Sequence, residues 1–168
     1  MDRQALRAAQ APLKERYRTD PAAALVTLRA AATLDAGISC SVQTGKAIAA
    51  AGLHPASGGD GSLLCSGDML LEALAACAGV TLRAVATSLE IELDDAAVHV
   101  EGELDFRGTL GVDRDVPVGF QSIRVQFDLT TGASDEQLVT LLRLTQRYCV
   151  VYQTLASSPQ LSFEYTRS

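Results

Sequence analysis

Four cysteines, Cys40, Cys65, Cys77 and Cys149, are the residues of this 168-residue sequence best suited to covalent chemistry. No two form a Cys-x-x-Cys pair and none lies in a His-rich neighbourhood, so the ligand spacing of a zinc site is not met. Core packing is one use for such residues and thiol redox chemistry another. In it a thiolate attacks a peroxide, and a second thiol must trap the resulting sulfenic acid before further oxidation. That chemistry needs one cysteine whose proton is loosely held, and another whose Cα lies within about 7 Å of the first.

The surroundings of Cys77 supply burial more readily than reactivity. Residues 68–88 read as a helix that is apolar nearly all round, with Met69, Leu70, Leu71, Leu74, Cys77, Val80, Leu82, Val85 and Leu89 spread over its surface. Such a helix belongs in the centre of a core. Ser66 offers a cap and Asp68 a first-turn carboxylate. On a continuous helix the neighbours of Cys77 are Ala73, Leu74, Val80 and Thr81, an apolar pocket with one hydroxyl and no cation. A free thiol titrates near 8.5 and apolar surroundings raise it, while the helix dipole fades within the first turn. Asp68, nine residues earlier, falls on the opposite face of a straight helix at about 100° per residue. From composition alone, a cysteine in Ala76-Cys77-Ala78-Gly79 packs as a small hydrophobe. Cys40, on an alternating stretch, reads as structural. Cys65, at a loop-to-helix junction twelve residues before Cys77, is a rival disulfide partner.

The elements around this helix follow from periodicity. Residues 5–17 favour a short helix that ends before Asp20-Pro21, so residues 1–20 read as an N-terminal helical extension to a domain spanning 21–168. Residues 25–34, 38–43 and 47–51 read as a small antiparallel meander, and 52–61, with His54-Pro55 and Gly58-Gly59-Asp60-Gly61, as a loop. His54 is a loop residue rather than a base, and the glycines lack the surroundings of a phosphate-binding loop. Residues 97–106 and 123–129 alternate as half-buried strands, with Val98, Val100, Ile123, Val125, Phe127 and Leu129 on one face, and should pair. Ser134 with Gln137 forms a capping box that starts a helix, a second helical piece runs from Cys149 to Leu155, and Leu161, Phe163 and Tyr165 alternate as a closing strand. The order predicts an α+β fold with segregated sheet and helices.

Composition bounds the partners. A net charge of −6, with lysines and arginines scattered singly, disfavours nucleic acid and anionic membranes. The start carries no apolar signal region, and the most apolar stretch, residues 69–80, is shorter than the roughly 20 residues that span a bilayer. The expectation is a soluble cytoplasmic protein with free thiols and no cofactor.

Asp68-Met69-Leu70-Leu71-Glu72-Ala73-Leu74-Ala75-Ala76-Cys77, behind a Gly-rich loop, and Leu144-Thr145-Gln146-Arg147-Tyr148-Cys149-Val150-Val151 resemble the two cysteine motifs of the osmotically inducible protein C and organic hydroperoxide resistance family. The resemblance runs from about Ala24 to the C-terminus. It implies an intertwined homodimer of curved antiparallel sheets around long central helices. It also implies that Cys77 reduces a peroxide, organic or hydrogen peroxide, that Cys149 resolves the product as a disulfide, and that an external thiol reduces the pair. Asp68 stands where the family has a glutamate, and would act by orienting a cation, for which Arg29 and Arg147 are the candidates. Cys149-Val150 replaces the Cys-Pro of the best-known members, as in the less characterised branch. Two other readings accompany this one: a non-catalytic dimeric module binding an apolar ligand or partner, and a slow redox sensor using the same cysteines.

Overall fold

A computed structural model of the chain describes residues 2–5, 7, 8, 10, 11, 19, 31–34, 39–43, 48–111 and 113–167, with side chains described from residue 49 onward in the main body. Residues 3–5, 7, 8, 10 and 11 are helical, behind Asp2, whose Oδ1 accepts the Ala5 N–H at 2.7 Å. The rest of the predicted N-terminal helix, and Arg29, lie outside the described residues.

The meander forms as its alternation predicts. β1 (Ala31–Leu34), β2 (Ser39–Gln43) and β3 (Ile48–Gly52) are antiparallel neighbours, and a short β4 (Leu64–Cys65), not foreseen from two residues of sequence, joins β3 in parallel. Between them His54 caps a 3-10 turn at Pro55–Ser57, its Nδ1 accepting the Ala56 N–H at 3.0 Å and its ring stacking on Phe106 at 4.9 Å. His54 is thus a loop residue, as expected.

α1 (Ser66–Leu89) is the central helix. Its N-cap is Cys65, with no side-chain cap hydrogen bond, so Ser66 is the first helical residue rather than the cap; Asp68 lies in the first turn as predicted. Glu90 ends the helix in the left-handed conformation at φ 58°, and its N–H and that of Ile91 return to carbonyls of the last turn. At 24 residues and a mean hydropathy of 1.6 over its most apolar window, α1 exceeds the span seen in sequence and is by length and composition alone long enough to cross a membrane. Its packing is that of a core helix on one side only: Leu74, Ala78, Leu82 and Ala86, one per turn, are buried, while Val80 is 74% exposed.

β5 (Asp95–Leu104) and β6 (Phe120–Thr130) pair antiparallel, with Val98 opposite Phe127 and Val100 opposite Val125, turning the predicted apolar face onto α1. A single helical turn, α2 (Phe106–Thr109), lies between them. α3 (Asp135–Tyr148) begins with the predicted capping box of Ser134 and Gln137, and α4 (Val150–Ala156) follows after one residue, Cys149. α1 packs against β5, α3 and α4. Leu82, Ala86, Ile91, Leu93 and Leu141 form one core cluster, and Leu74, Ala78 and Cys149 a second. The architecture is the expected mixed α+β arrangement of small antiparallel sheets and a long central helix.

The closing strand is a correction. Residues 158–167 pair with no strand among the described residues, and Leu161, Phe163 and Tyr165 are 72%, 99% and 91% exposed. Alternation sets which side chains share a face, but a strand also needs an edge to pair with, and this segment pairs with none among the described residues.

Candidate functional site

Cys77 projects from the middle of α1, one residue before the buried Ala78, and is half-buried. Cys149 is 1% exposed and occupies the joint between α3 and α4, ending one helix and starting the next. Its extended conformation, φ −72° and ψ 107°, breaks the helical run. Its N–H bonds the Thr145 carbonyl of α3 at 2.9 Å, and its carbonyl accepts the Gln153 N–H of α4 at 2.9 Å. Packing of α4 on α1 brings this joint onto Cys77, which packs against Cys149 in one core cluster, and both thiols are free.

The pair is electrostatically unequal. Burial pushes the Cys77 thiol up, but the backbone N–H of Val151, the Cys149 thiol, the Val150 N–H and the Thr81 hydroxyl together outweigh it and hold Cys77 below the ordinary thiol value. Val150 and Val151 are the first residues of α4, whose N–H groups have no carbonyl one turn earlier to bond. A thiolate accepts them in place of that carbonyl, and such charge-assisted bonds favour its ionised form. Cys149 moves the other way. Burial raises its thiol, the Tyr152 N–H opposes this, and proximity to Cys77 raises it further, leaving a net upward shift. Two like groups pushed apart by their environments divide into a nucleophile and a partner that stays protonated longer.

The sequence looked for a cation, and the structure supplies backbone donors instead. Arg147 is exposed, its guanidinium carbon 5.7 Å from the centroid of the Tyr148 ring, and it does not reach the pair. Asp68 is exposed too and has no hydrogen bond or ion pair among the described residues. Nine residues at 1.5 Å each put it about 14 Å along the axis from Cys77. Cys65, capping α1 and half-buried, is about 18 Å away by the same rise, so in this chain it is not the disulfide partner. Cys40 lies on β2 opposite Ala51, and its side chain is outside the described residues. Thr81, singled out from sequence as the one hydroxyl within a turn of Cys77, does reach the sulfur. The donors Val150 and Val151 are not among the sequence candidates: a helix boundary at Cys149 leaves the next helix's first N–H groups free, but packing alone decides which sulfur they face. Among the described residues no three His, Cys, Asp or Glu side chains converge as a metal site would require.

Beside the pair lies a cavity of about 600 Å³ between α1, β6, α3 and α4. Leu74, Ala78, Ile123, Val125 and Phe127 make its walls mainly apolar, and Cys149 and Thr145 also line it.

Comparison with known proteins bears on the fold and the family. The family described as OsmC-like protein matches over residues 59–164, which takes in both cysteines. None of the curated proteins matches the chain. Among solved structures, an OsmC-like protein from Mycoplasma pneumoniae is similar with a TM-score of 0.68 at 16% identity, covering 79% of this chain and 89% of that one. An organic hydroperoxide resistance protein OsmC from Legionella pneumophila gives 0.62 at 19% identity, covering 79% and 91%. An organic hydroperoxide resistance protein from Elizabethkingia anophelis gives 0.63 at 15% identity, covering 80% and 91%. These likenesses establish a shared fold, and with the family match over most of the chain they establish that this protein belongs to the OsmC-like family.

Proposed function

We propose that this protein is a thiol-dependent peroxidase acting on organic hydroperoxides or hydrogen peroxide through Cys77 and Cys149. The observation that carries the proposal is the packed pair of free thiols, with Cys77 lowered and Cys149 raised. The Cys77 thiolate attacks one peroxide oxygen. The O–O bond breaks, the second oxygen leaves as an alcohol or water after taking a proton, and Cys77 becomes a sulfenic acid. Cys149 then displaces that oxygen as water, forming the Cys77–Cys149 disulfide, and an external thiol returns both cysteines to the reduced state. Two relatives of the same fold are named as organic hydroperoxide resistance proteins, which supports the substrate class.

Residues 21–168 form the catalytic domain in this reading, with 1–20 as an extension, and the working form is a homodimer in a reducing cytoplasm. Asp68 contributes charge at the start of α1, where a carboxylate favours the helix dipole, and acts on the thiols only through a group brought by the second copy.

The test is peroxide consumption with dithiothreitol as reductant. Wild type should consume cumene hydroperoxide catalytically, and Cys77→Ser should not. Equal rates for the two would remove the proposal.

A further inference from the structure

The cavity is lined by one residue of the pair only. Cys149 is part of its lining and Cys77 is not. Thr145 also lines it, is 2% exposed, and its Oγ1 has no hydrogen-bond partner among the described residues. A buried hydroxyl without a partner is costly and calls for an explanation. Thr145 precedes Cys149 by four residues, one turn of α3, and its carbonyl holds the Cys149 N–H at 2.9 Å, so the two residues sit one turn apart on the same cavity wall.

We propose that the small organic thiol which reduces the Cys77–Cys149 disulfide enters this cavity and attacks Cys149, the Thr145 hydroxyl donating a hydrogen bond to its sulfur. This rests on the two-cysteine reading above. In the step, a bond forms between the incoming sulfur and Cys149 Sγ, the Cys77–Cys149 bond breaks, and the electron pair departs on Cys77 as thiolate. A second thiol then displaces Cys149, releasing an organic disulfide and leaving both cysteines reduced, so two thiols supply the two electrons and the two protons.

Three features favour this direction over attack on Cys77. The cavity wall carries Cys149 and not Cys77, although Cys77 is the more exposed of the two at the outer surface, so a thiol bound in the cavity meets Cys149 first. The leaving sulfur is the one the first N–H groups of α4 stabilise as an anion, and a thiol of lower pKa leaves faster. A thiolate entering an apolar cavity loses hydration, and Thr145 offers the one unpartnered buried hydroxyl among the described residues to offset that loss.

The experiment uses the full chain, its disulfide closed with diamide so that preparation does not depend on peroxide. 2-Mercaptoethanol is added, the reaction is quenched in acid at early times, and the mixed disulfide is mapped by mass spectrometry. The adduct should sit on Cys149 with Cys77 free, and an adduct chiefly on Cys77 overturns the proposal. Thr145→Val should slow reduction by about tenfold, the scale of one hydrogen bond to a charged group, and more than it slows oxidation of Cys77. Thr145→Ser should restore the rate. A wild-type rate in Thr145→Val removes Thr145 from the step. If diamide closes the disulfide and peroxide does not, the peroxidase reading fails and the mapping still decides this one; if neither closes it, both fall.

Discussion

A half-buried cysteine on an apolar helix ordinarily becomes harder to ionise, and at Cys77 that effect is present but outweighed. The balance has a sign that can be measured. Thiolate is the reactive form, so alkylation of each cysteine rises with pH through its own pKa. Site-resolved iodoacetamide labelling should therefore show Cys77 reaching half its limiting rate below the ordinary thiol value of about 8.5. Cys149 should reach it above that value. Labelling of Cys149 before Cys77 would reverse the assignment of nucleophile and resolver. Thr81→Val deletes one donor to the ionised form and should move the Cys77 midpoint upward. The Thr81 hydroxyl ranks below the Val151 and Val150 N–H groups among the donors, so the displacement should be small. Asp68→Asn has no route to the Cys77 sulfur within one chain, so a midpoint that moves in this variant reports the route through the second copy, and one that stays in place removes it.

At the scale of elements, reactivity is made by the break between α3 and α4 rather than by α1. Val150 is the first residue of α4, where proline is well tolerated because no intrahelical N–H is lost. Cys149, with ψ 107°, already has the extended conformation that a following proline requires. Val150→Pro should therefore fold normally, as judged by thermal denaturation, yet raise the Cys77 midpoint by removing one N–H donor; a lost fold would show that the joint tolerates less than its backbone angles suggest. Leu141, 0% exposed between α1 and α3, holds that joint in place, and Leu141→Ala should lower stability by about 2–5 kcal/mol in urea unfolding. Much of this frame was legible beforehand. The capping box at Ser134, the facing rows of Val98, Val100, Val125 and Phe127, and the helical break at Cys149 are all local patterns. The N–H groups that tune Cys77 were not, because backbone donors carry no residue signature and are brought to the sulfur by packing of two helices some seventy positions apart in sequence.

The single chain leaves apolar surface that its own elements do not cover. α1 was read as buried on every side, yet it buries one row of residues and presents Val80 on another face at 74% exposure. The segment read as a closing strand stands free, with Phe163 at 99% exposure. These two departures from the sequence reading have one physical cause: patterning records that a side chain is to be buried, and does not record whether the burying surface belongs to the same molecule. Among the described residues the sheet of β5 and β6 has two strands, a size rarely stable unless something packs on it, and neither outer edge pairs with a described strand. A second copy meets all three needs, covering α1 and offering an edge to residues 158–167. Light scattering on the wild-type protein should accordingly give twice the chain mass of 17.7 kDa. Phe163→Asp places a charge on the alternating face of that segment, where burial against a partner would cost several kcal/mol, and should shift the distribution toward single chains while leaving the far-ultraviolet spectrum of the helices intact. Val80→Lys should do the same from the α1 side. A wild-type protein that runs as one chain at micromolar concentration would leave the exposed helix face and the free C-terminal segment without the second copy proposed to cover them.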